Sequence, residues 1–225
     1  MLVLGIDTCA ASGSVALARV EPGNGEKLVC LGQMELAGKT YSAQLMPSIR
    51  GLLAEHQVTL AEIGAIVVTS GPGSFTGIRI GLATAKGLTE VHSIPIVAVS
   101  RLAVLAHNAG TRSAALDASR HEFYFREGQG SAAAEALLNR DVFADRVHAL
   151  GAQIAVCEAT LHAIAPEATL VEPPTAEDAI RLALARIAER HFDDPLTLDG
   201  NYIRRSDAEI FSAPDAPARK AASSR

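Results

Sequence analysis

Residues 65–90 read AIVVTSGPGSFTGIRIGLATAKGLTE, and this segment indicates the fold more than any other part of the chain. Its first five residues are four apolar residues and a threonine, and most of the five are β-branched, which predicts a buried strand. The strand ends in the turn sequence Ser-Gly-Pro-Gly-Ser at 70–74, and a helix rich in small side chains is predicted over 77–90. A strand that ends at glycines and leads into a helix N-terminus suits the binding of an anion or of a partner.

The residues on both sides of this segment predict an α/β unit. Apolar runs predict strands, and apolar residues at helical spacing predict helices. In chain order we expect strands at 2–7, 14–20 and 28–35, a helix at 42–56, the strand and helix described above, a strand at 94–99 and a helix at 101–108.

The second half of the chain repeats this hairpin-first plan in a reduced form. We expect a hairpin from 113–117 and 121–126, a loop at 128–131, a helix at 132–146, short strands at 153–157 and 168–171, and a helix at 175–190. In both halves an aspartate ends the first strand, namely Asp7 and Asp117. Two related βββαβα-type subdomains of this kind, the second reduced, are the layout of the actin-like ATPase (ribonuclease-H-like) fold.

This layout predicts two subdomains and a tail. The first covers residues 1–100. The second covers 101–212, and its last segment returns to the first subdomain. The tail, 213–225, is rich in Ala, Pro, Ser and Lys, which predicts disorder.

The charge, the cysteine spacing and the lengths of the apolar runs argue against several classes of function. The net charge of −5 and the absence of a basic block argue against direct nucleic-acid binding as the main source of affinity. Three widely spaced cysteines form no C-x-x-C motif, so neither a disulfide framework nor a zinc site is indicated. We expect a cytoplasmic protein, since the chain shows no signal peptide and no apolar run long enough for a membrane span.

The glycine-rich turn matches no catalytic motif. It lacks the Gly-Lys-Ser/Thr of a P-loop, and its serine does not lie in Gly-x-Ser-x-Gly. Ser74 or Thr76 is therefore interpreted as the N-cap of the following helix. Weak ATP or ADP binding is left open, and the candidate residues for it are Asp7, Thr8, Gly71, Gly73 and Ser74. Each aspartate has the alternative role of capping its own hairpin turn.

Several segments resemble the TsaB (YeaZ) family. They are residues 4–8 (LGIDT), 70–81 (SGPGSFTGIRIG), 85–88 (AKGL), 115–124 (ALDASRHEFY) and 201–204 (NYIR). The likeness runs in the family's own order over about residues 1–211.

This resemblance implies a non-catalytic subunit of the bacterial complex that forms N6-threonylcarbamoyladenosine at position 37 of ANN-decoding tRNAs. The implied partner is TsaD, with TsaE in a ternary complex and tRNA bound indirectly. Alone, the protein is expected to form a homodimer, and no cofactor is required. The alternatives are an ATP-dependent phosphotransferase or ATPase of the same superfamily and, third, a protease.

The resemblance also bears on metal binding. TsaD, the catalytic relative, holds a metal through a His-x-x-x-His pair on its first helix. Here the comparable positions are Thr40, Tyr41, Gln44 and Leu45, which are poor ligands, so we expect no metal site. Relatives often carry histidine where Tyr41 stands.

Two predicted helices carry the hypothesis of a partner interface. The helix at 77–90 has a stripe of small residues, and glycine within a helix costs up to ~1 kcal/mol relative to alanine. Close packing of another backbone would offset that cost. The alternative is that the apolar and small-residue stripes of both helices pack only on the chain's own sheet. The resemblance implies that this helix and the helix at 42–56 pair with TsaD. The expected contact residues are Leu45, Met46, Ile49, Leu52, Leu53, Gly77, Ile78, Gly81, Leu82, Ala85 and Lys86.

Overall fold

The computed structural model describes residues 1–21, 27–38, 40–128 and 130–203. Arg204 of the closing motif and the tail predicted at 213–225 lie outside the described residues. Within them, ten strands form two five-stranded sheets. No helix of the described part combines the length and apolar character that a membrane span requires.

The first sheet has the strand order β3-β2-β1-β4-β5. The antiparallel strands β1, β2 and β3 are followed in the sheet by β4 and β5, which run parallel to β1. The strands are β1 (Leu2–Asp7), β2 (Ser12–Glu21), β3 (Lys27–Ala37), β4 (Ile63–Thr69) and β5 (Ile96–Val99). Central strands such as β4 are apolar up to their last residue because helices cover both faces.

Helices α1 (Tyr41–Glu55) and α2 (Phe75–His92) cover one face of this sheet. Alternate residues of β1 point to opposite faces, so Leu4 packs with α1 and α2. Val3 packs instead with α6 (Ala176–Ala188), the last helix described. Both faces of the first sheet are therefore buried by the chain itself.

The second sheet repeats the topology of the first. Its order is β10-β9-β6-β7-β8, with β6, β7 and β8 antiparallel and β9 and β10 parallel to β6. The strands are β6 (Ser113–Asp117), β7 (Glu122–Glu127), β8 (Ala134–Asn139), β9 (Ile154–Val156) and β10 (Thr169–Leu170). The related, reduced second subdomain is thus confirmed, and the reduction lies in strand length.

The remaining helices pack on the second sheet, and α3 also joins the two halves. Helix α4 (Arg140–Leu150) packs on one face of the second sheet, next to the short α5 (Ala159–Ile164). Helix α3 (Arg101–Ala109) lies on its other face and also contacts α6. Because α3 packs on the second sheet and α6 on the first, the two halves are packed against each other.

One predicted element is wrong. Residues 132–146 were expected to form a helix, but their first part is the edge strand β8 and the helix begins only at Arg140. The strand sequence AEALLN consists mostly of good helix formers. Pairing with β7 overrides that propensity, because tertiary contacts outweigh a few tenths of a kcal/mol per residue.

Candidate functional site: the cleft between the two sheets

A cleft of about 1100 Å³ opens between the two halves of the molecule. It is lined by the turn between β1 and β2, the turn between β6 and β7, and the first turn of α2. Residues 201–203 of the C-terminal segment also line it. The repeat topology explains this arrangement, since it places the first hairpin turn of each half at the same cleft.

Asp7 and Asp117 make the same local hydrogen bond in the two hairpin turns. Oδ1 of Asp7 accepts from the backbone N–H of Cys9 at 2.9 Å, and Oδ1 of Asp117 accepts from that of Ser119 at 2.7 Å. Asp7 is buried, and burial raises its pKa although the charge of Arg101 opposes the shift. Both carboxylates therefore act as turn caps in this structure.

The other candidate anion-binding residues come together but bind one another. Ser74 is the N-cap of α2, since its hydroxyl accepts from the N–H of Gly77 at 3.2 Å. Its own N–H donates to the carbonyl of Cys9 at 2.7 Å. The hydroxyl of Thr8 donates to the carbonyl of Gly77 at 2.7 Å. The turn at 71–74 is thus closed against the β1–β2 turn, and the Ser74 N–H and the hydroxyls of Ser74 and Thr8 are already paired.

Glycine is required in this turn for steric reasons. Gly71 has a φ of +107° and Gly73 a φ of +155°. A Cβ on Gly73 would lie 2.0 Å from the carbonyl oxygen of Cys9. The two glycines therefore let the turn at 71–74 approach the β1–β2 turn. Weak ATP or ADP binding at this turn stays a prediction.

The structure corrects the predicted partner contacts on α1 and α2. Except for Met46 and Lys86, these side chains are buried in the chain's own fold. Gly77 and Gly81 face Thr8 of the β1–β2 turn, so this turn is what the small-residue stripe packs against. Buried groups are not available to a partner. The buried residues are Leu45, Ile49, Leu52, Leu53, Gly77, Ile78, Gly81, Leu82 and Ala85.

Tyr41 has a structural role at the edge of the cleft. It is 4% exposed, and its hydroxyl donates to the carbonyl of Ala10 at 2.8 Å. Burial raises the pKa of Tyr41 to about 12, so the phenol stays protonated and remains a donor. Tyr41 thereby joins the start of α1 to the β1–β2 turn.

Removing this hydroxyl should measurably weaken the fold. Tyr41→Phe leaves the ring in place but deprives the Ala10 carbonyl of its donor, so we expect a loss of about 1 kcal/mol in the free energy of unfolding. Urea denaturation measures it. The control is Tyr202→Phe, because the Tyr202 hydroxyl makes no hydrogen bond within the described residues. Equal losses in both variants would contradict the role given to Tyr41.

Sequence reasoning missed Arg101 and Glu158. Arg101 begins α3, lines the cleft and is only 7% exposed. Glu158 precedes α5 and lines the same cleft. One signal for Arg101 was present in the sequence, because a cation in the first turn of a helix is unfavourable in the helix dipole and calls for an explanation.

The sequence predicts no metal site, and such a site would need several donor side chains close together. Among residues 1–21, 27–38, 40–128 and 130–203, no group of three or more His, Cys, Asp or Glu side chains is placed to share a metal ion.

Comparison with known families gives one match over more than half of the chain. The family model described as "TsaD: tRNA N6-adenosine threonylcarbamoyltransferase" matches residues 34–173. A relative from Haemophilus influenzae, named tRNA threonylcarbamoyladenosine biosynthesis protein TsaB, is 34% identical over 133 residues, which are 56% of this chain and 53% of that protein. The chain thus spans about half the length of the curated TsaB proteins it matches.

Two further similarities extend over nearly the whole chain. An uncharacterised protein of Mycobacterium tuberculosis is 30% identical over 210 residues, covering 92% of this chain and 93% of that protein. The solved structure of YeaZ from Pseudomonas aeruginosa superimposes with a TM-score of 0.66 at 25% identity, covering 89% of this chain and 99% of that one. The topology and these similarities agree on the actin-like fold.

Proposed function

Because the chain belongs to the TsaB (YeaZ) family, we propose that it is a non-catalytic subunit of the machinery that forms N6-threonylcarbamoyladenosine in tRNA. In this proposal it acts by binding a TsaD protein, with TsaE joining a ternary complex. The modified nucleoside is position 37 of ANN-decoding tRNAs, and tRNA contacts this subunit only through the complex. Alone, the protein pairs with a second copy of itself, and no cofactor is needed.

The names of the relatives support the pathway, and the outer surface of α1 and α2 supports the docking role. We call this surface the docking face. It consists of exposed, mostly small residues that point away from the sheet: Ala43, Pro47, Gly51 and Ala54 of α1, and Thr76, Ala83 and Gly87 of α2. Helices α1 and α2 contact each other, so the two rows are adjacent.

The proposal that this face docks a partner rests on two of its glycines, Gly51 and Gly87. A Cβ built on Gly51 or Gly87 meets nothing within 4 Å. Glycine in an exposed helix interior costs about 0.8–1.0 kcal/mol relative to alanine. The fold gives no steric reason for either glycine. Close approach of a partner helix would give one, because small residues let two helix backbones pack closely.

Arginine at either glycine should block the partner without disturbing the fold. We expect Gly51→Arg and Gly87→Arg to weaken binding to cognate TsaD at least about thirtyfold, the effect of losing about 2 kcal/mol at an interface centre. Calorimetric titration measures the affinity, and light scattering after gel filtration measures the oligomeric state of each variant alone.

The matched control is Ala144→Arg, which adds the same charge at an exposed position of α4 in the other half. It should bind TsaD normally. If both glycine variants also bound normally, the docking face would be placed wrongly. If the unaltered protein failed to bind TsaD, the proposed function itself would be wrong.

A further inference from the structure

A second, smaller groove runs along α2 at the edge of the docking face. Its volume is about 420 Å³, and its walls come from α2 and from the segment at 198–202, which packs beside that helix. We call it the side groove. Ala83 belongs both to its wall and to the docking face, so a protein that covers that face also reaches the side groove.

The guanidinium of Arg79 is positioned in the side groove by two aromatic rings. Arg79 lies one turn after Phe75 on α2, and its Cζ is 3.8 Å from the centroid of the Phe75 ring. The centroid of the Tyr202 ring is 5.9 Å from the same atom, and the two ring centroids are 4.9 Å apart. A cation is attracted to the face of an aromatic ring, and a side chain placed in this way loses less freedom on binding.

The positive charges of the side groove are not paired within the chain. Neither Arg79 nor Lys86 belongs to any ion pair found among the described residues. Asp199 also lines the groove, but its Oδ1 accepts from the backbone N–H of Gly200 at 2.7 Å. Arg79 and Lys86 are seven residues apart, which places them on the same side of α2. The side groove is therefore cationic, although the protein carries a net charge of −5.

These features favour a carboxylate of a docked protein over a nucleic acid. Nucleic-acid binding draws its affinity from many cations along the phosphate backbone, whereas the side groove offers two cations and has a carboxylate in its wall. The neighbouring docking face is small-sided and suits the close approach of a helix. The side chains that flank such a helix would lie over Arg79 and Lys86.

We propose that the side groove receives an acidic side chain of the protein that docks on α1 and α2, and that its carboxylate pairs with Arg79 and Lys86. This inference rests on the proposed function, because it names the chemistry that the partner presents at the edge of the docking face. The planar guanidinium can donate to both oxygens of one carboxylate. The docking face admits any closely packing helix, so the side groove adds selection for a helix with Asp or Glu at the matching place.

Calorimetric titration of the full-length protein with cognate TsaD tests the role of Arg79. We expect Arg79→Met to weaken binding about ten- to hundredfold, the range for a hydrogen bond to a charged group. Arg79→Lys should lose less, because it keeps the charge but not the planar fork. The control is Arg112→Met, which removes an exposed arginine of the other half and should bind normally. Arg79 is exposed, so thermal denaturation should show that all three variants are folded.

Two further measurements report on the charge pair itself. The affinity of the unaltered protein for TsaD should fall as the NaCl concentration rises from about 0.05 to about 0.5 M, and it should fall less for Arg79→Met, because salt screens charge pairs. A carbodiimide joins an amine to a carboxylate in direct contact. In the complex of the unaltered proteins it should therefore link Lys86 to an Asp or Glu of TsaD, and mass spectrometry locates the link.

The outcomes separate this inference from the proposed function. An unchanged TsaD affinity in Arg79→Met, an equal salt dependence of both proteins, or a complex in which Lys86 links to no acidic residue would each overturn the inference and leave the proposed function standing. Normal TsaD binding by Arg79→Met together with a loss of affinity for tRNA would assign the side groove to a nucleic acid instead. If the unaltered protein did not bind TsaD, the proposed function would be wrong, and this inference with it.

Discussion

Gly77→Ala is expected to lower the free energy of unfolding by about 3 kcal/mol, the upper part of the usual range for overpacking a core. A Cβ at this position would lie 1.9 Å from the carbonyl oxygen of Thr8, a backbone atom of the buried β1–β2 turn. The turn cannot move away easily, since the Thr8 hydroxyl also donates to the Gly77 carbonyl. The gain in helix propensity, about 1 kcal/mol, is too small to offset the overlap.

The same helix supplies two comparisons for this substitution. At Gly81 the Cβ would lie 2.4 Å from Oγ1 of Thr8, a side-chain atom that can rotate, so a smaller loss is expected. At Gly87 the space is open, so Gly87→Ala should stabilise the isolated protein by up to about 1 kcal/mol. Thermal and urea denaturation measure all three variants. A Gly77→Ala protein as stable as Gly87→Ala would show that α2 does not pack on the turn as described.

Glu135→Ala is the second substitution for which we expect a loss of about 3 kcal/mol or more. Oε1 of Glu135 accepts from Oγ of Ser100 at 2.6 Å and from Nη1 of Arg126 at 2.7 Å. Oε2 accepts from Nδ2 of Asn201 at 2.5 Å. The Arg126 and Glu135 side chains are only 13% and 12% exposed, so removing the glutamate leaves a largely buried guanidinium unpaired.

Glu135 also joins separate parts of the fold. It lies on the edge strand β8, Ser100 caps α3, and the backbone N–H of Asn201 donates to the carbonyl of Ser70 at 2.7 Å beside the first sheet. Its loss should therefore loosen the contact between the two halves and the C-terminal segment. Hydrogen exchange should show faster exchange at the start of α3 as well as in β8.

The control for Glu135 is Glu127, on the neighbouring strand. Glu127 pairs with Arg146 at 3.4 Å, and these side chains are 43% and 52% exposed. Glu127→Ala removes the same charge but should cost less than about 1 kcal/mol, as exposed pairs do. The double variant Arg126→Met, Glu135→Leu should recover part of the stability lost in Glu135→Ala. If Glu135→Ala cost no more than Glu127→Ala, the network would not be the link that we describe.

The main plan of the fold was predictable because it depends on local signals. Buried strands such as β1 and β4 are apolar up to their last residue, and the glycine-rich turn before 77–90 predicts the start of a helix. The sequence predicted Ser74 or Thr76 as the N-cap of this helix, and the structure shows that it is Ser74. Strand β8 was not predictable in this way, because its residues prefer a helix and only β7 makes them a strand.

For the candidate site, too, local sequence signals predicted one part and the tertiary structure alone decided the other. The residues Asp7, Thr8 and Ser74 were expected at one place, and the structure brings them together where the β1–β2 turn contacts the start of α2. It also shows their polar groups hydrogen-bonded within the turns, and it adds Arg101, which is distant in sequence. The cleft consists of segments from both halves, so no local pattern could have revealed how its charges are balanced.

By itself, the sequence determined most of the strands and helices, with β8 as an exception, that the hairpin-first plan occurs twice, and which family the chain resembles. Only the tertiary structure decided what each apolar or small-residue stripe contacts. Gly77 and Gly81 touch the chain's own β1–β2 turn, whereas Gly51 and Gly87 face open space. The reason is physical: helical periodicity shows that one side of a helix differs from the other, but which surface covers that side depends on segments that are remote in the chain.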